Sequence, residues 1–135
     1  MLNVYLTFPG TCEQALSFYE TVFHGKRESL MKHGETPMKE HVSADWQDKV
    51  IHAVLRIGDG SLMASDAPPQ MYKTPQGFSV SIILSVDEAE RVFPLLADGG
   101  KIAMALQETF WAQRFGSVTD RFGTPWMITG GHQPK

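Results

Sequence analysis

The stretch TFWAQRFGSVTDRFGTPWMI, residues 109–128, decides how the second half of the chain folds. Its centre, Asp-Arg-Phe-Gly at residues 120–123, lies between two apolar runs. Glycine supplies the positive φ that a tight turn needs, and aspartate can accept hydrogen bonds from its own backbone. The pattern therefore predicts a hairpin with strands at residues 113–119 and 125–129. Because a tryptophan is costly to expose, we expect Trp111 to fill a core or to line a pocket.

The segments before the hairpin predict a strand, a helix and another strand. Residues 78–86 alternate between larger apolar and smaller side chains, which is typical of a strand. Asp87 and Glu90 form a capping pair ahead of an apolar stripe, which predicts a helix over residues 87–97. Gly99 and Gly100 end that helix, and residues 101–106 predict the next strand.

The first half of the chain has the same order of predicted elements. Residues 2–8 alternate as a strand, Thr11 and Gln14 begin a helix over residues 11–23, and Gly25 ends it. Three more strands are predicted at residues 26–32, 50–57 and 61–65. The two predicted caps, Thr11 and Asp87, lie 76 residues apart, as do Tyr5 and Ser81.

This repetition indicates an internal duplication. One helix can cover only one face of each four-stranded sheet, so we expect the halves to pair. The sequence thus predicts an α+β domain over residues 1–135, built from two βαβββ modules with mixed sheets. The modules span residues 1–66 and 78–130, and the proline-rich segment 67–77 links them.

The longest predicted loop, residues 33–49, is polar and contains a single large aromatic side chain, Trp46. Loops of this length are usually functional or mobile. Residues 43–46 predict a short helical turn. We expect Trp46 to close over a ligand or to pack on a partner subunit.

Composition excludes several functional classes. The net charge is −3 over 135 residues, with lysine and arginine scattered, so nucleic-acid binding is not expected. No apolar run reaches the roughly 20 residues that span a membrane, and residues 1–8 show no secretion signal. A lone cysteine, Cys12, forms no internal disulfide. These features favour a cytoplasmic protein.

Three stretches carry a resemblance to a known family: YLTFPGTCEQALSFYETVF at residues 5–23, HAVLRIGDGSLMASD at 52–66 and GGKIAMALQETFWAQRFGSVTDRFGTPWMI at 99–128. The chain resembles the vicinal-oxygen-chelate superfamily of glyoxalase I, bleomycin-resistance proteins and extradiol dioxygenases, and within it the PhnB-like branch. The resemblance implies strongly curved sheets that form a cup, with helices on their outer faces. It also implies a homodimer with the cavity at or near the subunit interface.

Metal-using relatives take two ligands from the first and last strands of each half. The resemblance carries these positions over to Tyr5, Met63, Ser81 and Met127. Divalent metals prefer imidazole, carboxylate or thiolate ligands, and this set offers none. We therefore expect neither a metal nor another cofactor.

A lining of methionine, hydroxyl and aromatic side chains suits a small organic molecule. The residues predicted to bind it are Tyr5, Thr7, Trp46, His52, Met63, Ser79, Ser81, Trp111 and Met127. The alternative is that the hydroxyls bond to backbone and the methionines fill gaps.

Two enzymatic alternatives stay open. In the first, the protein is a small lyase or isomerase in which His52 is the acid/base and Tyr5 a proton donor. In the second, it is a metal-dependent glyoxalase or dioxygenase.

Cys12 lies in the first turn of a predicted helix, where a thiol pKa is lowered, and is a weaker candidate nucleophile. Asp66 and Asp120 are explained as turn residues.

Overall fold

The computed structural model describes residues 1–132, and the chain divides into two compact units, Met1–Lys73 and Thr74–Lys135. The division falls inside the predicted linker. Each unit contains one long helix and one four-stranded mixed sheet. The predicted α+β class and the two βαβββ modules are therefore confirmed.

The first unit is built in the predicted order. Its elements are β1 (Val4–Phe8), α1 (Cys12–Phe23), β2 (Lys26–Lys32), β3 (Val50–Ile57) and β4 (Gly60–Asp66). The strand order in the sheet is β1-β4-β3-β2, with β1 parallel to β4 and the other pairs antiparallel. Three short 3-10 helices (His33–Glu35, Pro37–His41 and Ala44–Trp46) occupy the long predicted loop.

Alternation along the strands separates a buried face of this sheet from an open one. The buried face packs against the apolar stripe of α1, which includes Ala15, Leu16 and Tyr19. Its strand residues are Leu6, Phe8, Ala53, Leu55, Leu62 and Ala64. Since neighbouring residues of a strand point to opposite faces, the residues between these form the open face.

The second unit repeats this arrangement. Its elements are β5 (Val80–Leu84), α2 (Val86–Ala97), β6 (Lys101–Gln107), β7 (Ala112–Thr119) and β8 (Pro125–His132). The strand order is β5-β8-β7-β6, with β5 parallel to β8 and the other pairs antiparallel. The buried face includes Val80, Trp126, Ile128 and Val118.

Two glycines let α2 lie close to this sheet. A Cβ added at Gly116 would stand 2.7 Å from the ring of Phe93, and one added at Gly130 would stand 2.6 Å from the Cβ of Ala89. Both glycines are buried, so the helix packs against bare backbone at these points.

The predicted hairpin between β7 and β8 is confirmed. Asp120 holds its turn, because one carboxylate oxygen accepts the backbone N–H groups of Phe122 and Thr124 at 2.8 and 3.1 Å. The other oxygen accepts the indole N–H of buried Trp126 at 2.8 Å. The carboxylate therefore links the turn to the core.

The helix caps differ from the prediction. Ser85, not Asp87, is the N-cap of α2, and its hydroxyl accepts the backbone N–H of Glu88 at 3.2 Å. The preceding strand is accordingly shorter than predicted and ends at Leu84. Thr11 is the N-cap of α1 but makes no side-chain cap hydrogen bond, and the left-handed residue that ends α1 is His24 rather than Gly25.

Candidate functional site

The open face of the first sheet carries most of the predicted binding residues of that unit. Tyr5 on β1 pairs with Met63 on β4, which pairs with Val54 on β3. In the next row, Thr7 pairs with Ser65, and Met31 on β2 pairs with His52 on β3. The face therefore presents hydroxyl, imidazole and thioether groups in two adjacent rows.

Tyr5 and His52 approach each other across the central strand β4. The Tyr5 hydroxyl lies 3.5 Å from the His52 Nδ1, and the ring centroids are 5.9 Å apart. This separation is long for a hydrogen bond, so each group keeps capacity for another partner. Tyr5 is 50% exposed and His52 is partly buried. The predicted pair is thus brought together on an accessible surface.

The open face of the second sheet repeats this pattern. Ser81 on β5 pairs with Met127 on β8, and Met127 pairs with Ser117 on β7. Ser117 pairs in turn with Met104 on β6. Ser81 and Met127 therefore hold the same pairing position in their unit as Tyr5 and Met63 hold in theirs. Ser79 precedes β5, although it was predicted within that strand.

The two predicted tryptophans lie away from these central rows. Trp46 is the last residue of the third 3-10 helix in the loop. It is partly buried, and its ring lies 6.5 Å from the ring of His33, measured between centroids. Trp111 lies in the turn before β7 and is 37% exposed, so it does not fill a core, and its predicted place in the lining of a pocket stays a prediction. It packs against Phe110 and Phe115 instead.

Asp66 has a structural role that the sequence analysis missed. It is the last residue of β4 and is buried, not the first residue of a turn. Its Oδ1 accepts the backbone N–H groups of Gly10 and Cys12 at 3.0 and 2.9 Å, and its Oδ2 accepts that of Val50 at 2.9 Å. It thereby performs the capping of α1 that was assigned to Thr11 and Gln14. The alternation Leu62, Ala64, Asp66 could have revealed this, since it places the carboxylate on the buried face.

Cys12 is fully buried beneath this cap. Burial raises the pKa of its thiol from 9.0 to about 12, and the neighbouring Asp66 carboxylate raises the pKa as well. These effects exceed the lowering expected from the helix N-terminus. The candidate nucleophile is therefore a neutral core thiol.

A cleft of about 590 Å³ lies near the start of α1 and contains none of the predicted ligand-binding residues. Several of its charged groups bond within the protein: Lys32 Nζ lies 3.5 Å from Glu13, and Lys49 Nζ donates to the Gly10 carbonyl at 3.0 Å. Because these two lysines already have partners in the protein, the cleft is a weaker candidate site than the open sheet face.

Comparison with known proteins identifies the family. The model of the Glyoxalase/Bleomycin resistance protein/Dioxygenase superfamily matches residues 2–128. The chain belongs to this superfamily. It is 40% identical to Protein YjdN of Escherichia coli K12 over 94% of this chain and 92% of YjdN.

Solved structures of two bacterial proteins share the fold. Protein PA1353 from Pseudomonas aeruginosa is 39% identical, covers 98% of this chain and 100% of its own, and superposes with a TM-score of 0.85. A Bacillus cereus protein named as a putative 3-demethylubiquinone-9 3-methyltransferase, PhnB protein, is 23% identical, with a TM-score of 0.79 over 96% of this chain and 98% of its own. At that identity the second likeness concerns the fold alone.

The four positions that the resemblance assigns to metal ligands in this superfamily do not suit a divalent metal here. In each unit the two positions are direct neighbours on the open face, Tyr5 beside Met63 and Ser81 beside Met127. A phenol, a serine and two thioethers are poor ligands for zinc, nickel or iron(II). Among residues 1–132, no three histidine, cysteine, aspartate or glutamate side chains cluster as a metal site would require.

Proposed function

We propose that this protein is a PhnB-like member of the superfamily that binds a small organic molecule on its open sheet faces, without a metal. The observation that carries the proposal is the approach of Tyr5 and His52 over the first sheet. Tyr5 is exposed and His52 is partly exposed, and within residues 1–132 neither side chain makes a hydrogen bond shorter than their mutual 3.5 Å contact. They are therefore free to bond to a ligand.

The surroundings of this pair support an organic ligand over a hydrated ion. Binding sites for small molecules combine apolar area with a few polar groups that fix orientation. Met63 and Val54 supply apolar area beside Tyr5, while Thr7 and Ser65 supply hydroxyls in the next row. Methionine is flexible and polarisable, which suits a surface that adapts to its ligand.

A ligand screen tests the proposal. We expect members of a library of small carbonyl, phenolic and heterocyclic compounds to raise the melting temperature, since a ligand that binds only the folded state stabilises it by mass action. Tyr5→Phe and His52→Ala should weaken the affinity for the best compound by about tenfold each, the loss of one hydrogen bond.

Ser17→Ala is the matched control, because Ser17 is exposed on α1 and lines the charged cleft rather than the open face. Its affinity should equal that of the wild type. A library with no binder, or a binder lost in Ser17→Ala but kept in His52→Ala, would overturn the proposal.

The same pair favours one enzymatic alternative, a lyase or isomerase in which His52 moves a proton and Tyr5 donates a hydrogen bond. Histidine is the side chain that titrates near neutral pH, which suits a general acid/base. NMR of the bound compound separates binding from catalysis. An unchanged compound after prolonged incubation supports binding, whereas turnover that Tyr5→Phe slows and His52→Ala abolishes supports the enzyme.

A further inference from the structure

The charged cleft near the start of α1 is a second recess in which a small molecule could be held. Its volume of about 590 Å³ lies within the usual range of small-molecule sites. Three segments of the first unit meet there. The lining side chains include Glu13, Gln14 and Ser17 of α1, Lys32 at the end of β2, and Asp48 and Lys49 just before β3. None of the described lining residues has an aromatic or purely aliphatic side chain.

Asp66 is the buried residue of this cleft and fixes its shape. Its carboxylate accepts the backbone N–H groups of Gly10, Cys12 and Val50 at 2.9–3.0 Å. These bonds join the turn after β1, the start of α1 and the start of β3. The segments that line the cleft are therefore held in place before a ligand arrives, which lowers the free-energy cost of binding.

Asp48 and Lys49 present opposite charges with unused bonding capacity. Lys49 Nζ donates to the Gly10 carbonyl at 3.0 Å, and an ammonium has further N–H donors beyond that one. Asp48 is exposed, and within residues 1–132 its side chain has no hydrogen bond or ion pair. The cleft thus offers free donors on a cation directly beside free acceptors on an anion.

A second pair of opposite charges lines the cleft from α1 and β2. Lys32 Nζ lies 3.5 Å from Glu13, and Arg27 lies 3.6 Å from the other oxygen of the same carboxylate. Both separations exceed the roughly 2.7–2.9 Å of a charge-assisted hydrogen bond. A charged ligand group can therefore bond to Lys32 or Glu13 without breaking a short ion pair.

We propose that this cleft binds a small zwitterion of the amino-acid class, which carries both an ammonium and a carboxylate. A simple anion would be repelled by Asp48 and Glu13, and a simple cation by Lys32 and Lys49. A zwitterion can place its carboxylate beside Lys49 and its ammonium beside Asp48. The polar lining disfavours apolar and ring-stacking ligands. The inference does not depend on the ligand of the open sheet face.

NMR titration of the full-length, isotope-labelled protein tests the proposal. The probes are the standard free amino acids and the glycyl dipeptides, each added to about 10 mM, a range that detects weak binding. Low salt limits screening of the charges. We expect at least one probe to shift the backbone amide signals of residues 10–17 and 48–50. Binding by either set supports the proposal, and the set that binds more tightly gives the charge separation that the cleft accepts.

Blocked forms of the best probe test whether both charges are needed. N-acetylation removes the ammonium, and methyl esterification removes the carboxylate. Each blocked form should bind about tenfold more weakly than its parent, the loss of one charge-assisted contact.

Two substitutions test the residues. Lys49→Gln and Asp48→Asn each remove one charge from the cleft and should weaken the affinity for the best probe by about tenfold. Lys39→Gln and Glu40→Gln are the matched controls, because they make the same charge changes at exposed positions of the second 3-10 helix, outside the cleft. Both controls should keep the wild-type affinity. Melting curves confirm that each variant is folded.

The proposal would be overturned if no probe shifted the signals of the cleft, or if a blocked form bound as tightly as its parent. Controls that weaken binding as much as Lys49→Gln and Asp48→Asn would overturn it as well. So would a probe whose affinity falls in Tyr5→Phe or His52→Ala, because those residues belong to the open face. The same two variants test the proposed function with other compounds, so failure of one idea is distinguishable from failure of the other.

Discussion

At the residue scale, Cys12 shows that burial outweighs position. The first turn of a helix favours a thiolate, but the thiol is fully buried beside the Asp66 carboxylate. Its pKa is raised to about 12, so the folded protein holds the thiol proton more tightly than the unfolded chain does. The stability linked to this proton is fully present below pH 9 and is lost as pH rises towards 12.

This linkage predicts a pH-dependent effect of Cys12→Ala. Between pH 9 and pH 11, the wild-type free energy of unfolding should fall relative to that of the variant by about 1.4 kcal/mol per pH unit. Urea denaturation of both proteins at several pH values measures the difference, and other alkaline titrations cancel in the comparison. A constant difference across this range would show that the thiol pKa is not raised.

Asp66 and Ser85 show which structural roles can be predicted from neighbouring residues in the sequence and which cannot. The alternation of Leu62, Ala64 and Asp66 indicates that the carboxylate is buried. Its backbone partners, however, come from the turn after β1, from α1 and from β3, which only the fold brings together. The α2 cap is a local ambiguity, because Ser85 and Asp87 each precede an acidic residue three positions later. The end of β5 at Leu84, set by pairing with β8, selects Ser85.

At the element scale, the strands were predictable because one face of each sheet is covered by a helix. Burial of that face imposes period-two alternation, which predicted β1 and β5, while strand-favouring composition and turn residues predicted the other strands. All eight strands of residues 1–132 lie within a few residues of their predicted positions. The close approach of α2 to its sheet was harder to predict from the sequence than the strands were. Gly116 lies between aromatic residues in the sequence, and only the structure shows that it makes room for Phe93.

Gly116→Ala should therefore destabilise the second unit. The added methyl would lie 2.7 Å from the Phe93 ring and 3.0 Å from the Met104 carbonyl, and backbone cannot move aside cheaply. Overpacking of this kind costs about 1–3 kcal/mol. Chemical denaturation measures the loss. Gly60→Ala is the control, because the nearest atom to its added methyl is 3.7 Å away, and equal stabilities of the two variants would contradict the packing argument.

At the scale of the whole molecule, the duplication made the equivalent positions of the two units predictable, but it did not show which side chains meet within one unit. The equivalence of Tyr5 with Ser81, read from two similar halves, agrees with their pairing to Met63 and Met127. The sequence predicted that Tyr5 and His52 act together, but their distance could not be predicted from it, because that distance depends on β4 lying between β1 and β3. Among residues 1–132, neither long helix has the length and apolar character needed to cross a membrane.

The same equivalence leads to a prediction about metal. The positions assigned to ligands pair with each other, Tyr5 with Met63 and Ser81 with Met127, but they lack suitable donor atoms. A metal site needs several suitable donors at one point, and His52 would add a single nitrogen. Protein purified without chelator should therefore contain far less than one zinc, nickel or iron per chain by elemental analysis.

Removal of divalent ions should also leave the melting temperature unchanged. A metal that binds the folded state at 100 times its dissociation constant stabilises it by about 2.7 kcal/mol, so stripping it would lower the melting temperature by several degrees. Scanning calorimetry with and without EDTA measures this shift. Supplying each metal in turn to the stripped protein is the control, and no ion should raise the melting temperature. The prediction would be contradicted if the protein contained about one metal per chain and His52→Ala released it. A metal-dependent glyoxalase or dioxygenase would then become the favoured function, because a bound ion could polarise a substrate oxygen.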